Sequence, residues 1–394
     1  MKWIVNDKKN VTAYEPIIDR NTLFEVKNFH GSFEEYEPTP LIRLKKMAGF
    51  LGMSEVFVKD ESFRFGLNSF KVLGGSYAIG KYLSQKLGKD ITEMPCEILK
   101  SDEVKNELGD LTFVTTTDGN HGRGVAWMAK QLGCKAIVYM PKGSTQNRVN
   151  HITEMGAEVN VTEWNYDDTV KYTSMQAQKN GWEIIQDTAW EGYEDVPKWI
   201  MQGYSTIAQE TIEQLKGIRP THVFLQAGVG AFASVIASIF VSIFEKKPPK
   251  IIIVEPEKAN CFYKSAEAGK MECVTGELNT IMAGLACGVP NPIAYDILKS
   301  CADVFVSVPE WVTARGMRVL GNPLKGDTRV ISGESGGVTA GLLSIVTISD
   351  DYKKLKEDLN INENSRVLIF NTEGNTDTEV YRRIVWDGDY QSLL

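Results

Sequence analysis

The chain has 394 residues, 43% hydrophobic and 24% charged, a composition that suits packed globular domains and argues against a disordered chain. With 51 acidic against 43 basic residues it carries a net charge of −8 and no long Lys/Arg run, which argues against nucleic-acid binding or a membrane-surface role. The longest mostly apolar run, 231–244, has 14 residues interrupted by serines, too few to span a bilayer.

The N-terminus, MKWIVNDKKN, is followed by no secretory apolar region, so the cytosol is the expected location. The first expected strand is 55–59. It runs into Asp60-Glu61-Ser62 and then Phe65-Gly66-Leu67-Asn68-Ser69-Phe70-Lys71, ahead of an amphipathic helical segment at 69–87. Ser69 reads as an N-cap, which places Lys71 in the first helical turn. The positive end of a helix disfavours a cation, a setting that suits a lysine whose pKa must fall so that it can act as an amine nucleophile; an ordinary surface lysine is the other reading.

The strand 111–116 ends in Thr116-Thr117-Asp118-Gly119-Asn120-His121-Gly122, before a helix at 123–132. Hydroxyls, backbone N–H groups and a carboxylate at one strand terminus can bind a substrate carboxylate; a turn that needs Gly and Asn for positive φ is the equal alternative. Strands at 135–140, 158–162 and 182–186 follow, with helices at 145–155 and 166–179 between them. Asp187 stands at the end of the last of these strands, as a site carboxylate or a helix cap. After a helix at 204–215, the strand 222–226 ends in Ala227-Gly228-Val229-Gly230-Ala231-Phe232-Ala233. Backbone N–H groups of such a small-residue loop, at the start of an apolar helix, cradle a phosphate. The same residues match G-x-G-x-x-A, and the strand 250–254 ends in Glu255. A nicotinamide-dependent oxidoreductase using Gly228, Gly230 and Glu255 is therefore a rival reading. Strands at 304–308 and 366–370 complete the series, the last running into Asn371-Thr372-Glu373-Gly374, where a hydroxyl can meet a ring nitrogen; a turn alone is the equal reading.

Strand and helix in alternation, with apolar strands, predict an α/β chain with mostly parallel sheets covered by helices on both faces. The regular spacing from 111 to 187 predicts a smaller inserted α/β domain at 106–195, with 1–105 and 196–394 forming a large domain. Ligands in such folds bind beyond the carboxyl ends of strands. The six cysteines form no C-x-x-C pair and have no His partner at zinc spacing, so reduced thiols and no metal are expected.

The N-S-F-K lysine, the T-D-G-N-H-G loop, the central small-residue loop and a hydroxyl in a C-terminal Gly-containing turn occur in that order. From Pro38-Thr39-Pro40-Leu41 onward, the chain resembles the fold-type-II pyridoxal-phosphate enzymes. Within that group, KDESFRFGLNSFK, TTTDGNHGRGVAW, QDTAWEGY, LQAGVGA, IMAGLACG, ISGESGG and NTEGNTD resemble the diaminopropionate ammonia-lyases. The resemblance implies a two-domain fold with twisted, mostly parallel sheets, pyridoxal 5'-phosphate as cofactor, a homodimer, and elimination from a small diamino acid, 2,3-diaminopropionate, to pyruvate and ammonia. It implies that Lys71 forms the Schiff base, Asn120 meets the ring hydroxyl, Thr372 the pyridine nitrogen, and Ala227, Gly228, Val229 and Gly230 the phosphate. Thr116, Thr117, Asp118, Gly119 and Asp187 would face the substrate. Asp118 departs from the small or hydroxylated residue usual in dehydratases and the racemase. A carboxylate there suits a substrate with a second, cationic amine, and can take a proton from Cα on the face opposite Lys71. Serine or threonine dehydratase is the alternative within the group.

Overall fold

The computed structural model describes every residue except 11, 12, 118 and 392–394. Its strands are β1 (Lys2–Val5), β2 (Leu41–Arg43), β3 (Glu55–Asp60), β4 (Thr112–Thr116), β5 (Lys135–Met140), β6 (Glu158–Val161), β7 (Glu183–Ile184), β8 (His222–Gln226), β9 (Lys250–Pro256), β10 (Val304–Val308) and β11 (Arg366–Asn371). They form two sheets, and the chain divides into two compact units, Met1–Pro16 with Thr39–Ser69 and Ile207–Leu394, and Ile17–Pro38 with Phe70–Thr206.

The first unit holds a seven-stranded sheet in the order β1-β10-β9-β8-β11-β3-β2. Its five inner strands run parallel, and β1 and β2 close the edges antiparallel. The inner strands are near-continuous apolar runs because helices cover both faces, and β8 and β10 are buried at every position. The short edge strands carry no periodic signal, and the sequence reading did not include them. The apolar helices Ala231–Ile243 and Glu334–Ile348 pack on this sheet, the second also against the helix Glu310–Gly321. A Cβ on Gly316 would lie within van der Waals overlap of the Gly337 carbonyl, so hydrogen side chains permit that close crossing.

The second unit holds a parallel four-stranded sheet, β6-β5-β4-β7. It reaches further along the chain than 106–195. The helix Val72–Lys86 belongs to it, packed against the helices Asn120–Leu132 and Asp195–Gly203. Gly124 makes that packing possible, since a Cβ there would come 2.7 Å from Val72 Cα. The expected strand at 182–186 shrinks to the two residues of β7, and the expected helix at 204–215 is Ser205–Gln214.

Each sheet has one point where consecutive connections part in opposite directions. In the first unit this is the gap between β8 and β11; in the second it is the gap between β4 and β7. The carboxyl ends of those strands are where open α/β sheets form ligand crevices.

Candidate active site

In the second unit, the β4/β7 switch point brings together Lys71 and Asp187. Lys71 Nζ lies 2.5 Å from Asp187 Oδ2, with both side chains largely buried. Burial alone would raise the Asp187 carboxyl, but the Lys71 charge and the hydrogen bonds it receives outweigh it and hold the group well below the usual carboxylate range. Tyr166 Oη donates to Asp187 Oδ1 at 3.2 Å, and Gln186 Nε2 donates to Tyr166 Oη at 2.8 Å. Gln186 in turn accepts from the Thr116 N–H at 2.8 Å, which ties this chain of polar groups to β4.

Lys71 does not sit inside the first turn as the sequence suggested. It occupies the residue before the helix Val72–Lys86, in helical φ/ψ and without a side-chain cap, and its carbonyl accepts from Gly75. Ser69 is not the N-cap. It forms an isolated bridge with Glu373 in the first unit. Asp187 caps no helix either, since the following helix begins at Asp195.

Of the T-D-G-N-H-G loop, Asp118 lies outside the described residues. Thr117 is a turn former whose Oγ1 accepts from the Gly119 N–H at 2.9 Å. Thr116, expected to face the substrate, points instead into the core, where its hydroxyl shares a hydrogen with Thr173 Oγ1 at 2.6 Å; strand alternation turns it toward the helix Tyr166–Asn180. Asn120 opens the helix Asn120–Leu132. His121 is buried, and its Nε2 lies 2.7 Å from the Ile185 carbonyl, so that nitrogen carries the hydrogen. Burial lowers its pKa and keeps the ring neutral, with a buried Nδ1 lone pair that meets no donor among the described residues.

In the first unit, the β8/β11 switch point carries the small-residue loop and Thr372. The Ala227 N–H is already donated to the Val254 carbonyl at 3.0 Å, so Ala227 is not a phosphate donor as the sequence suggested. The N–H groups of Gly228, Val229 and Gly230 meet no acceptor among the described residues, although the whole loop is buried. Buried, unpaired donors at a helix start call for an anion. Gly230 has φ +90°, and a Cβ on it would meet Phe262 Cζ at 2.3 Å. The Thr372 hydroxyl, buried, accepts from Gln226 Nε2 at 2.8 Å.

Glu255 has a structural role. It is fully buried, with its two carboxylate oxygens taken by the N–H groups of Phe262 and Tyr263 at 2.9 and 2.7 Å, which caps the helix Cys261–Ala268. Burial pushes the carboxyl up to about 8 against those hydrogen bonds. A ribose-binding acid must face an open crevice, so the nicotinamide reading fails at this residue.

Two further features escaped the sequence reading. One is Tyr166, which opens the expected helix 166–179 with nothing in the sequence to mark it as a partner of Asp187. The other feature is a buried charge network in the first unit. Lys59 Nζ donates to Glu210 Oε2 and the Thr39 carbonyl, each at 2.7 Å, while Arg64 bonds both Glu61 and Glu210 at 2.7–3.0 Å. It anchors the turn 61–66, in which Phe65 has φ +49°. The only signal was a run of charged residues closing an apolar strand.

The family of pyridoxal-phosphate dependent enzymes matches residues 33–373. Diaminopropionate ammonia-lyase of Escherichia coli (strain K12) is 50% identical over 378 residues, 95% of this chain and 94% of that protein. The crystal structure of holo diaminopropionate ammonia lyase from Escherichia coli, with selenomethionine incorporated, superposes with a TM-score of 0.93 at 48% identity, covering 99% of this chain and 97% of the other. The structure of the same enzyme in complex with D-serine also gives 0.93, at 47% identity over 99% and 98% of the two chains.

Proposed function

We propose, from the premise that the chain belongs to the pyridoxal-phosphate-dependent enzymes and within them to the diaminopropionate ammonia-lyases, that it converts 2,3-diaminopropionate, L and D, with one water to pyruvate and two ammonia molecules. The observation that carries this reading is the Lys71–Asp187 pair, an amine and a carboxylate held 2.5 Å apart at a strand-end crevice. Pyridoxal 5'-phosphate, when bound, supplies the electron sink for charge developing at the substrate α-carbon.

This chain's own residues do the rest. Gly228, Val229 and Gly230, whose N–H groups meet no acceptor among the described residues, would hold the phosphate, and the Thr372 hydroxyl would face the ring nitrogen. Asn120 would meet the ring hydroxyl, and Lys71 would hold the cofactor through its amine and be the group that gives way to the substrate amine. A site balanced for one cation beside Asp187 then accepts another, so Asp187 takes over the substrate's β-ammonium. Lys71 removes the Cα proton of one enantiomer and Asp118 that of the other. The β-nitrogen leaves as neutral ammonia, so it must still carry its proton when the C–N bond breaks, and carboxylates beside it keep it protonated. The solved Escherichia coli enzyme holding D-serine supports a pocket open to D amino acids. The first unit is assigned the cofactor-binding role of the large domain. The enzyme acts in cytoplasmic amino-acid catabolism as a homodimer; among the described residues no helix is long and apolar enough to cross a membrane.

The test is pyruvate and ammonia release from both enantiomers and from serine. Lys71→Ala should keep the fold and lose turnover by about three orders of magnitude or more, since covalent capture and a proton acceptor disappear together. Near-normal ammonia release by that variant would remove Lys71 from the reaction.

A further inference from the structure

The last residue of β8 controls the direction of a hydrogen bond. Gln226 is buried, and its Nε2 lies 3.0 Å from the Phe370 carbonyl and 2.8 Å from Thr372 Oγ1. The Phe370 carbonyl can only accept, so the amide must turn its nitrogen, not its oxygen, toward β11; the flipped amide would set its oxygen against that carbonyl. One amide hydrogen goes to Phe370, and the other falls on Thr372 Oγ1. The hydroxyl is thereby made an acceptor on its Gln226 side, and its own hydrogen has to point away. No acceptor for that hydrogen exists among the described residues. Gln226 Oε1 meanwhile is buried without a partner. A leucine or methionine would fill the same space without leaving a buried oxygen unpaired, so packing does not explain a glutamine here.

We propose that Gln226 is a positioning residue that fixes the Thr372 hydroxyl as a hydrogen-bond donor toward the cofactor's ring nitrogen, holding that nitrogen unprotonated. The inference rests on the reading of Thr372 as the ring-nitrogen residue. Its consequence for the reaction is selectivity. An unprotonated ring is a weaker electron sink, so charge at Cα is resolved by expelling the β-amine before a proton can return. Without Gln226 nothing holds the hydroxyl's hydrogen toward the ring, and it is free to rotate and accept from a protonated ring nitrogen instead.

The experiment uses holoenzyme reconstituted with pyridoxal phosphate carrying 15N in the ring. The 15N resonance is recorded at neutral pH for the wild type, Gln226→Met and Thr372→Val, with the cofactor's visible absorption band confirming that it is seated. A second readout is deuterium exchanged into recovered substrate relative to pyruvate formed. Wild type should show an unprotonated nitrogen. Gln226→Met should move the resonance toward the protonated position and raise the exchange-to-elimination ratio about fivefold, the equivalent of one ordinary hydrogen bond. A shift in Thr372→Val with none in Gln226→Met overturns the proposal and leaves Thr372 at the ring. No shift in either variant overturns the placement of Thr372 itself, and the proposal with it. If Gln226→Met does not retain cofactor, Gln226→Glu decides the matter. An ionised carboxylate there can only accept, which forces the hydroxyl to face it and should drive the ring nitrogen to the protonated form; an unprotonated nitrogen in that variant refutes the assignment.

Discussion

Replacing Gly230 with alanine tests the phosphate loop through its packing. The residue has φ +90°, where an L side chain costs about 1–2 kcal/mol relative to glycine. The added Cβ would also lie 2.3 and 2.8 Å from Phe262 Cζ and Cε2 and 3.1 Å from Ala294 Cβ. The Phe262 ring is almost wholly buried and has no open space to swing into, so relieving the contact should cost a further ~1–3 kcal/mol of overpacking. The sum, about 2–5 kcal/mol, is a large share of a typical total stability of about 5–15 kcal/mol. Gly217→Ala separates the two terms, because it has a similar φ of +85° with nothing within 4 Å of the new Cβ. The assay is urea unfolding of wild type and both variants followed by tryptophan fluorescence, with cofactor released on dialysis measured in parallel. Gly230→Ala should lose more stability than Gly217→Ala and release cofactor faster. Equal losses in the two variants would refute the clash with Phe262, and unchanged cofactor retention would refute the loop's role in binding phosphate.

Glu255→Gln should flatten the pH dependence of stability. Because burial raises the folded-state value from 4.5 to about 8, the folded protein keeps a proton that the unfolded chain has released, so this stabilisation is complete below about 4.5 and lost as pH climbs through 8; parallel unfolding curves for wild type and variant between those pH values would contradict the argument. Asp118→Asn keeps size and removes basicity, so turnover of D-diaminopropionate should fall by about 100-fold or more and that of L-diaminopropionate by much less. Equal losses would leave Asp118 with a binding role only, and normal activity on the D enantiomer would remove it from the mechanism.

The inner strands were legible because burial on both faces writes them as apolar runs: 222–226 and 304–308 match β8 and β10 residue for residue. The loops at their carboxyl ends were legible for the same reason, since strand ends are where small and polar residues interrupt that pattern. The edge strands β1 and β2 were not legible, because at 4 and 3 residues, none of them fully buried, they are too short to show a strand period. Ser69 as an N-cap was a fair local inference overridden by a tertiary contact, its bridge to Glu373. The commitment of the Ala227 N–H to Val254, and of Thr116 to Thr173, depends on which strand or helix lies alongside. No motif records that. Nothing in the sequence joined Lys59, Glu61, Arg64 and Glu210, and only their convergence in the fold makes them a buried network.

The chain order of that network sets a timetable for synthesis. Lys59 and Arg64 emerge from the ribosome well over a hundred residues before Glu210, their shared counter-charge. β3 waits longer still, since its parallel partner β11 is the last strand made. The residues between them, by contrast, include every strand of the parallel four-stranded sheet, which can close while the ribosome is still translating. The nascent chain therefore holds an apolar strand with one edge paired only to the short β2 and the other edge open, flanked by solvated charges, through most of its synthesis. Those charges act as gatekeepers against aggregation until Glu210 arrives to neutralise them, after which the same side chains can be buried.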